Sequence, residues 1–518
     1  MKTVVRVLWG VLLAVAFAGC GKVERAQDEQ ASSAAVAAAS SGAAPQFLTL
    51  PMHPRVLAGA DEEGIGELDG RFVWNAPFVN GQPPGQTRGN GSQAAISVDA
   101  APISTLALAA LPPNVDVSNA VGSYQGETTG GSNGTVVVGG SNNIVPGACA
   151  TNVCAVAAYT STSGTSWTTT VQSPTWNGTT FGITFDPGID VDTAGNFYYV
   201  FGGAPLSGSF PNSIAVARSG PDGLSWGTPV AVTFNARRAF DDKYYLAIDR
   251  SAGAFANSIY VGWDRNIQNN QILFVAFSRD RGATWSAPVK VDDGTTKFER
   301  VIGAYPAVDQ ATGTVYMSWH NYARDIIFVD RSTSGGQSWG TDVAAATTHT
   351  GFGVDIGCNG GRSQSPAHAL KVDSAGTLHL VYADQVAGRG FDILYVRSTN
   401  GGASWSAPVR LNDDLGAAHQ YHPTLSVDGA TITVTFYDRR DDLANCQSHV
   451  YATQSTDGGA TWSANVRLST DPSSFDGNPN GPGDYSSSTP HGLNVFPFHS
   501  DHRTTDADSL MEIYTYPL

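Results

Sequence analysis

The sequence predicts an all-β protein made of repeated units of four short strands, and three observations support this. The octapeptide "SRDRGATW", residues 278–285, returns as "STDGGATW", residues 455–462, and degenerate copies occur before and between them. The tryptophans that end the copies recur every 54 to 66 residues. β-branched and aromatic residues dominate the intervening stretches, with Gly, Asp and Asn where turns are expected.

Each unit reads as four strands in succession. In the unit that contains Trp339, "AYPAVDQATG" is a first strand and turn, "TVYMSWHN" a second strand and "DIIFVDRS" a third. The octapeptide is then a turn, and its Trp opens a fourth strand. Four-stranded units repeated at this period are typical of the blades of a β-propeller.

The repeat also predicts the number of blades. Six units carry the octapeptide, and the stretches "GDYSSSTPHG", "LNVFPFHSD" and "LMEIYTYPL" read as three strands of one more unit. Dividing residues 115–518 by seven gives about 58 residues per unit, which matches the spacing, whereas six units would need about 67. We therefore expect seven blades, with six as the alternative.

The N-terminus predicts export. The first 20 residues, "MKTVVRVLWGVLLAVAFAGC", combine two cations, an apolar stretch and small residues, as in a secretory signal. The ending "FAGC" resembles the lipobox of bacterial lipoproteins. This resemblance implies a lipid on Cys20 and, because Gly21 rather than Asp follows, an outer-membrane location. An ordinary signal peptide is the alternative.

The rest of the chain divides by composition. Residues 21–45 are Ala/Ser-rich and predict a flexible tether, so the membrane is reached through the lipid only. Residues 46–114 form an N-terminal extension that we expect to donate a blade-closing strand. Residues 115–518 form the propeller, which we expect to be a monomer.

Charge and cysteine content narrow the partners. Charged residues make up 14% of the chain and the net charge is −16, without a basic cluster, which argues against nucleic acid as a partner. An even number of cysteines after Cys20 in an exported chain predicts two disulfides. We expect Cys149 to pair with Cys154, and Cys358 with Cys446.

The pattern Ser-x-Asp-x-Gly-x-Thr-Trp resembles the Asp-box, the bacterial neuraminidase repeat of sialidase-like propellers. Both clear copies fit it, with Asp280 and Asp457 at the acidic position. In the other copies that position holds Thr162, Pro221, Ser334 or Asn400, a drift that a turn tolerates better than catalysis would. We therefore interpret the octapeptide as a structural turn between the third and fourth strands, and the resemblance implies a ligand site on the opposite face.

Propeller topology brings the second-to-third-strand loops and the blade-to-blade connections to that face. The candidate catalytic residues collected there are Tyr244, Asp241, Asp242, Glu299 and Asp438. The candidate substrate-binding residues are Arg238, Arg265, Arg324, Arg439, Arg440 and Arg503. Arginine grips carboxylates with two parallel hydrogen bonds, and carboxyl groups and tyrosines can cleave glycosidic bonds.

These residues support three interpretations of function. The resemblance implies a surface-anchored, sialidase-like glycoside hydrolase acting on anionic glycans. A polysaccharide lyase that acts on uronate-containing glycans is the enzymatic alternative. A non-catalytic propeller that binds a glycan or protein is the third, in which the Asp-Arg pairs only join blades. The Arg-Ile-Pro-like motif of sialidases is absent from the sequence, so one of their three arginines has no counterpart.

One stretch has the beginning of a calcium-loop pattern. In "DGNPNGPGD" the alternating oxygen donors Asp476, Asn478 and Asn480, with Asp484, could bind calcium. No Glu stands at the twelfth position, so a plain turn-rich loop is favoured. We expect that the protein requires no cofactor.

Overall fold

The computed structural model describes residues 97–104, 114–118, 125–143, 155–205, 210–267, 270–294, 300–350, 354–358, 363–364, 367–476, 481–502, 510–513 and 516–517. The chain divides into two compact units, Met1–Leu48 and Thr49–Leu518, and every described residue belongs to the second. In these ranges all regular elements are strands, and no helix could cross a membrane. The predictions that lie outside the described residues concern segments 1–20 and 21–45, most of 46–114, Cys20, Cys149, Cys154, Glu299, Asn478, Asn480 and Arg503.

Most strands belong to four-stranded sheets, which we name A to G in chain order. The short strand β1 (Val115–Asp116) comes first and belongs to sheet G. Sheet A contains β2 (Thr129–Ser132), β3 (Val137–Ser141), β4 (Ala157–Ser161) and β5 (Thr168–Val171), and a hairpin of β6 (Thr175–Trp176) and β7 (Thr179–Thr180) follows it. Sheet B contains β8 (Ile183–Val191), β9 (Phe197–Ala204), β10 (Ser213–Ser219) and β11 (Val230–Ala231). Sheet C contains β12 (Phe240–Ile248), β13 (Ile259–Ile267), β14 (Asn270–Ser278) and β15 (Val289–Lys290).

The second half of the chain continues in the same way. Sheet D contains β16 (Val301–Val308), β17 (Val315–Asn321), β18 (Ile326–Ser332) and β19 (Val343–Thr347), followed by the pair β20 (Val354–Asp355) and β21 (Ser363–Gln364). Sheet E contains β22 (His368–Val372), β23 (Leu378–Gln385), β24 (Phe391–Ser398) and β25 (Val409–Arg410). Sheet F contains β26 (Gln420–Asp428), β27 (Thr431–Asp438), β28 (His449–Ser455) and β29 (Val466–Arg467). Sheet G contains β30 (Ser487–His491), β31 (Asn494–Asp501) and β32 (Leu510–Ile513), with β33 (Tyr516–Pro517) beside β31.

The sheets have a propeller-like arrangement. Within each of sheets A to F the strands pair antiparallel in chain order. The first strands of consecutive sheets contact one another, and β30 contacts β2, so the series closes on itself. One backbone pairing, Tyr244 opposite Ala304, joins the first strands of sheets C and D in parallel. First strands therefore surround the centre, as in the all-β repeat architecture that the sequence predicts.

The N-terminal side of the chain completes the outer edge of three sheets. Strand β1 pairs with β32, with Val115 opposite Ile513, and so supplies the outermost strand of sheet G from just beyond residue 114. Residues 97–104 run beside the outer strands of sheets E and F. There the Ala101 N–H donates to the Arg410 carbonyl at 2.8 Å. Pairing of this kind covers edges that would otherwise be open to other chains.

A bulge recurs near the start of four first strands. The register shifts in sheets B, C, D and F, and at each shift one residue has a positive φ: Asp186 (54°), Lys243 (46°), Gly303 (75°) and His422 (48°). A bulge inserts one extra residue and redirects its side chain. Only one of the four is glycine, so three sheets hold a side-chain-bearing residue in a strained conformation.

The octapeptides form the turns between the third and fourth strands of sheets C and F. The Thr284 N–H donates to Asp280 Oδ1 at 2.8 Å, and the Thr461 N–H donates to Asp457 Oδ1 at 2.9 Å. In a degenerate copy the Asn400 side-chain oxygen accepts the equivalent N–H at 3.0 Å. Ser334 also accepts the equivalent N–H, from Ser338 at 2.9 Å, so asparagine or serine can replace the aspartate in this turn.

The same turns join each sheet to the one before it. Three arginines at the ends of third strands donate to the carbonyl oxygen of a glycine in the turn of the next sheet, the pairs being Arg279–Gly335, Arg331–Gly401 and Arg397–Gly458. The closing tryptophan adds an aromatic contact, because Trp462 packs edge-on against Tyr395 of sheet E with ring centroids 5.0 Å apart. The repeated octapeptide thus forms the joints between sheets.

Candidate functional site

Charged side chains converge where the first strands of four sheets begin. The Lys243 ammonium of sheet C lies 3.0 Å from Asp484 Oδ2, 3.3 Å from Glu127 Oε1 and 3.3 Å from Asp186 Oδ2. These carboxylates precede or belong to the first strands of sheets G, A and B. We call Lys243, Glu127, Asp186, Asp242, Asp264 and Asp484 the Lys243 cluster.

The bulges explain why these side chains meet. Asp186 and Lys243 are the positive-φ residues of their bulges, and Glu127, just before β2, also has a positive φ of 57°. Asn142 fixes two of the carboxyl residues, because its Nδ2 donates to Glu127 Oε2 at 2.6 Å and its Oδ1 accepts the Asp186 N–H at 3.0 Å. The positive-φ residues therefore direct their charged side chains toward the centre of the ring of first strands, in a strained backbone conformation.

The cluster is buried and has an excess of acid. Its Glu127, Asp186 and Lys243 side chains are only 1 to 3% exposed, and Asp484 is 16% exposed. Asp242 and Asp264 are also buried and lie directly opposite each other in the register of β12 and β13. Five carboxyl groups thus share one ammonium, and a buried excess of negative charge is so costly that some of the acids must hold protons.

The pKa directions show in which acids the protonated form is favoured. Burial raises the pKa of Glu127 well above its usual value, and the neighbouring Asp186 raises it further. Burial also raises the pKa of Asp264, with Asp242 adding to the effect, and raises that of Asp186 to about 6. Burial alone would lower the pKa of Lys243, but its carboxylate neighbours raise it well above the ordinary value. Burial and the neighbouring carboxyl groups therefore favour the protonated form of Glu127 beside the charged Lys243.

A layer of tyrosines closes the cluster on one side. The Tyr245 ring packs against Tyr305 and Tyr485, with centroids 4.9 and 5.2 Å apart, and Lys243 lies 5.7 Å from the centre of the Tyr485 ring. Burial raises the pKa of Tyr245 and Tyr485 well above the usual value, so both hydroxyls stay protonated.

Two of the predicted arginines pair with a predicted aspartate of their own sheet. Arg265 Nε and Nη2 contact Asp241 Oδ1 and Oδ2 at 2.6 and 2.8 Å. Arg440 Nε contacts Asp438 Oδ2 at 2.8 Å, and its backbone N–H donates to Asp438 Oδ1. Asp241 and Arg265 are direct cross-strand neighbours. Each pair lies within one sheet and so does not itself join blades, although Arg440 also pairs with Asp413, which follows the last strand of sheet E.

Arg439 and a disulfide together hold one loop of the same face. Cys358 and Cys446 are bonded, which confirms that predicted pair. The Arg439 guanidinium is fully buried and donates to the carbonyl oxygens of Ile356, Gly357 and Asn445 at 2.9 to 3.1 Å. Arg439 therefore binds backbone rather than facing solvent.

The remaining predicted residues lie in different surroundings. The buried Tyr244 hydroxyl donates to the Phe185 carbonyl of sheet B at 2.7 Å, so its ring joins two sheets. Asp242 belongs to the Lys243 cluster. Arg238 and Arg324 are exposed, and they lie on loops beside the starts of first strands or the ends of second strands.

The two described members of the predicted calcium loop have different neighbours. Asp484 pairs with Lys243. Asp476 is exposed and close to the sulfurs of Cys358 and Cys446, the one grouping of potential metal ligands among the described residues. These sulfurs form a disulfide and therefore offer no thiolate to a metal.

The sequence-based site omitted Lys243 and Asp186. A signal for them exists, since a charged residue inside the innermost strand of a propeller is unusual and must have a partner. In "DDKYY" and "FDPG" such residues stand inside first strands, but only the fold reveals that they meet.

No family model and no curated protein matches the chain. Similar solved structures include a Hadza microbial sialidase (13% identity, 72% of this chain and 75% of that chain, TM-score 0.45). Another is a Penicillium chrysogenum α-L-arabinanase complexed with arabinobiose (12% identity, 64% of this chain and 94% of that chain, TM-score 0.43). A third is an ulvan lyase of a new polysaccharide lyase family (11% identity, 82% of this chain and 96% of that chain, TM-score 0.44). At these identities and TM-scores the likeness supports no argument about activity. Any activity must therefore be inferred from the side chains described above.

Proposed function

We propose that this chain is a glycoside hydrolase on a seven-bladed propeller with Asp-box turns, and that the Lys243 cluster is its reaction centre. The observation that carries the proposal is a buried glutamic acid, whose pKa is raised by its burial, beside an ion-paired aspartate. Glycoside hydrolysis needs such a pair, one carboxyl group to protonate the leaving oxygen and one carboxylate to attack or to activate water.

Glu127 is the proposed acid and Asp484 the proposed nucleophile or base. Burial and Asp186 raise the pKa of Glu127, and the Lys243 ammonium pairs with Asp484, the most exposed of its three salt-bridge partners. Because Glu127 Oε1 and Asp484 Oδ2 contact the same ammonium at 3.3 and 3.0 Å, they lie at most about 6.3 Å apart. This upper limit lies below the separation found in inverting enzymes, about 6.5 to 9.5 Å, so we expect retention of anomeric configuration.

An anionic glycan is the proposed substrate class. Arg238 and Arg324 are exposed at the rim of the same face and suit a carboxylated sugar. The described arginines Arg265 and Arg440 already hold aspartates of their own sheets, so the three-arginine grip of sialidases is not part of the proposal.

A non-catalytic glycan- or protein-binding propeller is the second candidate. It is favoured by the same Arg265–Asp241 and Arg440–Asp438 pairs, which need no substrate to explain them. In this case the Lys243 cluster would serve only to tie sheets A, B, C and G together.

The test is product analysis with protein lacking residues 1–20. Incubation with sialylated glycans and uronate polysaccharides, followed by mass spectrometry, should give products that have gained water. Unsaturated uronate ends would establish a lyase instead. An unchanged pool with demonstrably folded protein would favour the binding candidate.

We also propose that the protein is exported and anchored to the outer membrane by a lipid on Cys20. The lipobox-like ending "FAGC" supports this. Labelling with a fatty acid should mark the wild type and leave Cys20→Ala unlabelled, and equal labelling would contradict it. The proposed chemistry needs no cofactor, and calcium in the loop 476–484 stays a prediction that metal analysis of the purified protein would check.

A further inference from the structure

A pocket lies on the other side of the tyrosine layer from Lys243. It is a cavity of about 570 Å³ enclosed by the first strands of sheets A to G. Tyr245, Tyr305 and Tyr485 line the end nearest Lys243, and the first-to-second-strand turn at 192–195 lines the other end. Such turns lie at the same end of the sheets as the octapeptide turns, so this pocket faces away from the proposed reaction centre.

Its wall carries hydroxyl groups that the protein leaves unsatisfied. Among the described residues, the side-chain oxygens of Ser426, Ser486, Ser487 and Ser488 are buried, line the cavity and have no hydrogen-bond partner. Ser426 and Ser488 are only 2% and 8% exposed. Leaving a buried hydroxyl unpaired costs about 1 to 3 kcal/mol, so a polar occupant of the cavity is favoured.

The cavity also contains one cation without a counter-ion. The Lys371 ammonium lies 5.6 Å from the centre of the Tyr305 ring and makes no salt bridge in the described part of the chain. The other lining cation, Arg250, is already paired with Asp190 at 2.7 Å. The remaining lining carboxylate, Asp192, accepts hydrogen bonds from Asn196 and Tyr198. Lys371 is therefore available to an anion that enters the cavity.

We propose that this cavity is a second binding site, distinct from the reaction centre, for a mono- or disaccharide that carries a carboxylate. The carboxylate binds Lys371, the sugar ring packs on the tyrosines, and the sugar hydroxyls bond to those serines whose side chains rotate toward the cavity. The volume lies within the range of small-molecule pockets, about 300 to 1,000 Å³.

Calorimetric titration with glucuronate, and with glucose as its neutral counterpart, tests this. We expect wild-type protein to bind glucuronate at least tenfold more tightly than glucose. Lys371→Met should weaken glucuronate binding at least tenfold, whereas Lys371→Arg retains it. Lys290→Met is the matched control, because Lys290 is half-exposed, outside the cavity and paired with Asp292.

Glu127→Gln separates this site from the proposed reaction centre, and it should leave glucuronate binding unchanged even if it abolishes hydrolysis. The proposal is overturned if folded wild-type protein does not bind glucuronate. It is equally overturned if Lys371→Met binds as tightly as wild type, or if Glu127→Gln abolishes binding.

Discussion

Removal of the Lys243 ammonium should destabilise the protein in a pH-dependent way. In Lys243→Met the volume of the side chain is nearly kept, but Glu127, Asp186 and Asp484 lose their shared cation. Loss of one partner from a buried ion pair costs about 3 to 5 kcal/mol, because a charge is left uncompensated. We therefore expect the free energy of unfolding to fall by about 4 kcal/mol at pH 8.

The deficit should shrink in acid. The carboxyl groups around the substituted side chain can take up protons, and neutral carboxyls need no cation. Because the pKa of Asp186 is already about 6 with Lys243 present, and removal of a cation raises it further, the cluster of the variant is mostly protonated at pH 5. We expect a deficit of about 1 to 2 kcal/mol there.

Urea unfolding of both proteins at pH 5 and pH 8 measures these deficits. Lys290→Met controls for the loss of a lysine, since Lys290 is 39% exposed and should cost less than about 1 kcal/mol at either pH. Equal deficits for Lys243→Met at the two pH values, or a deficit below about 1 kcal/mol at pH 8, would refute the reasoning.

Three further predictions concern the proton-holding acid, the disulfide and the joints between sheets. Because the pKa of Asp186 is raised to about 6 in the folded state, the folded protein binds this proton more tightly than the unfolded chain, and stability is lost as pH rises from about 4 to 6. Asp186→Asn should reduce this loss of unfolding free energy by up to about 3 kcal/mol, as measured by urea melts across this pH range. An unchanged pH dependence would argue against it. Replacing Cys358 and Cys446 by serine opens a loop with a sequence separation of 88, so the unfolding free energy should fall by about 4 kcal/mol. Reductant should then lower the melting temperature of the variant less than that of the wild type. Arg397→Gln loses the hydrogen bond to the next sheet and should lower the unfolding free energy in urea melts by about 2 kcal/mol. Arg331→Gln should lower it less, because its hydrogen bond is 3.4 Å long. The reverse order would contradict the role of these bonds in joining sheets.

The repeated unit could be predicted because its determinants are local. The Asp280 and Asp457 turns close within a few residues, and each tryptophan follows its turn directly. The period of the repeat then follows from counting along the chain. The strand that pairs at the edge of sheet G, Val115–Asp116, lies just beyond the extension 46–114 from which we expected a closing strand, and it is too short to stand out in the sequence.

The candidate site was only partly predictable. Of the residues that topology collected on one face, Asp242 does belong to the Lys243 cluster, although it lies inside a first strand rather than on a loop. Topology could not reveal that Asp241 and Arg265 are cross-strand partners, because their relative register depends on a bulge two residues away. Nor could it reveal that Lys243 meets Glu127, since those residues are 116 positions apart and meet only when the ring of first strands closes.

The most direct test of the central claim is hydrolysis by Glu127→Gln in water enriched in oxygen-18. Glutamine replaces a neutral acid by a neutral amide of similar shape, so the variant should fold, but it cannot release a proton to the leaving oxygen. We expect wild-type protein and Arg265→Gln to release products that carry one heavy oxygen, and Glu127→Gln to be slower by about 100-fold or more. Full activity in Glu127→Gln, or none in folded wild type, would contradict the account.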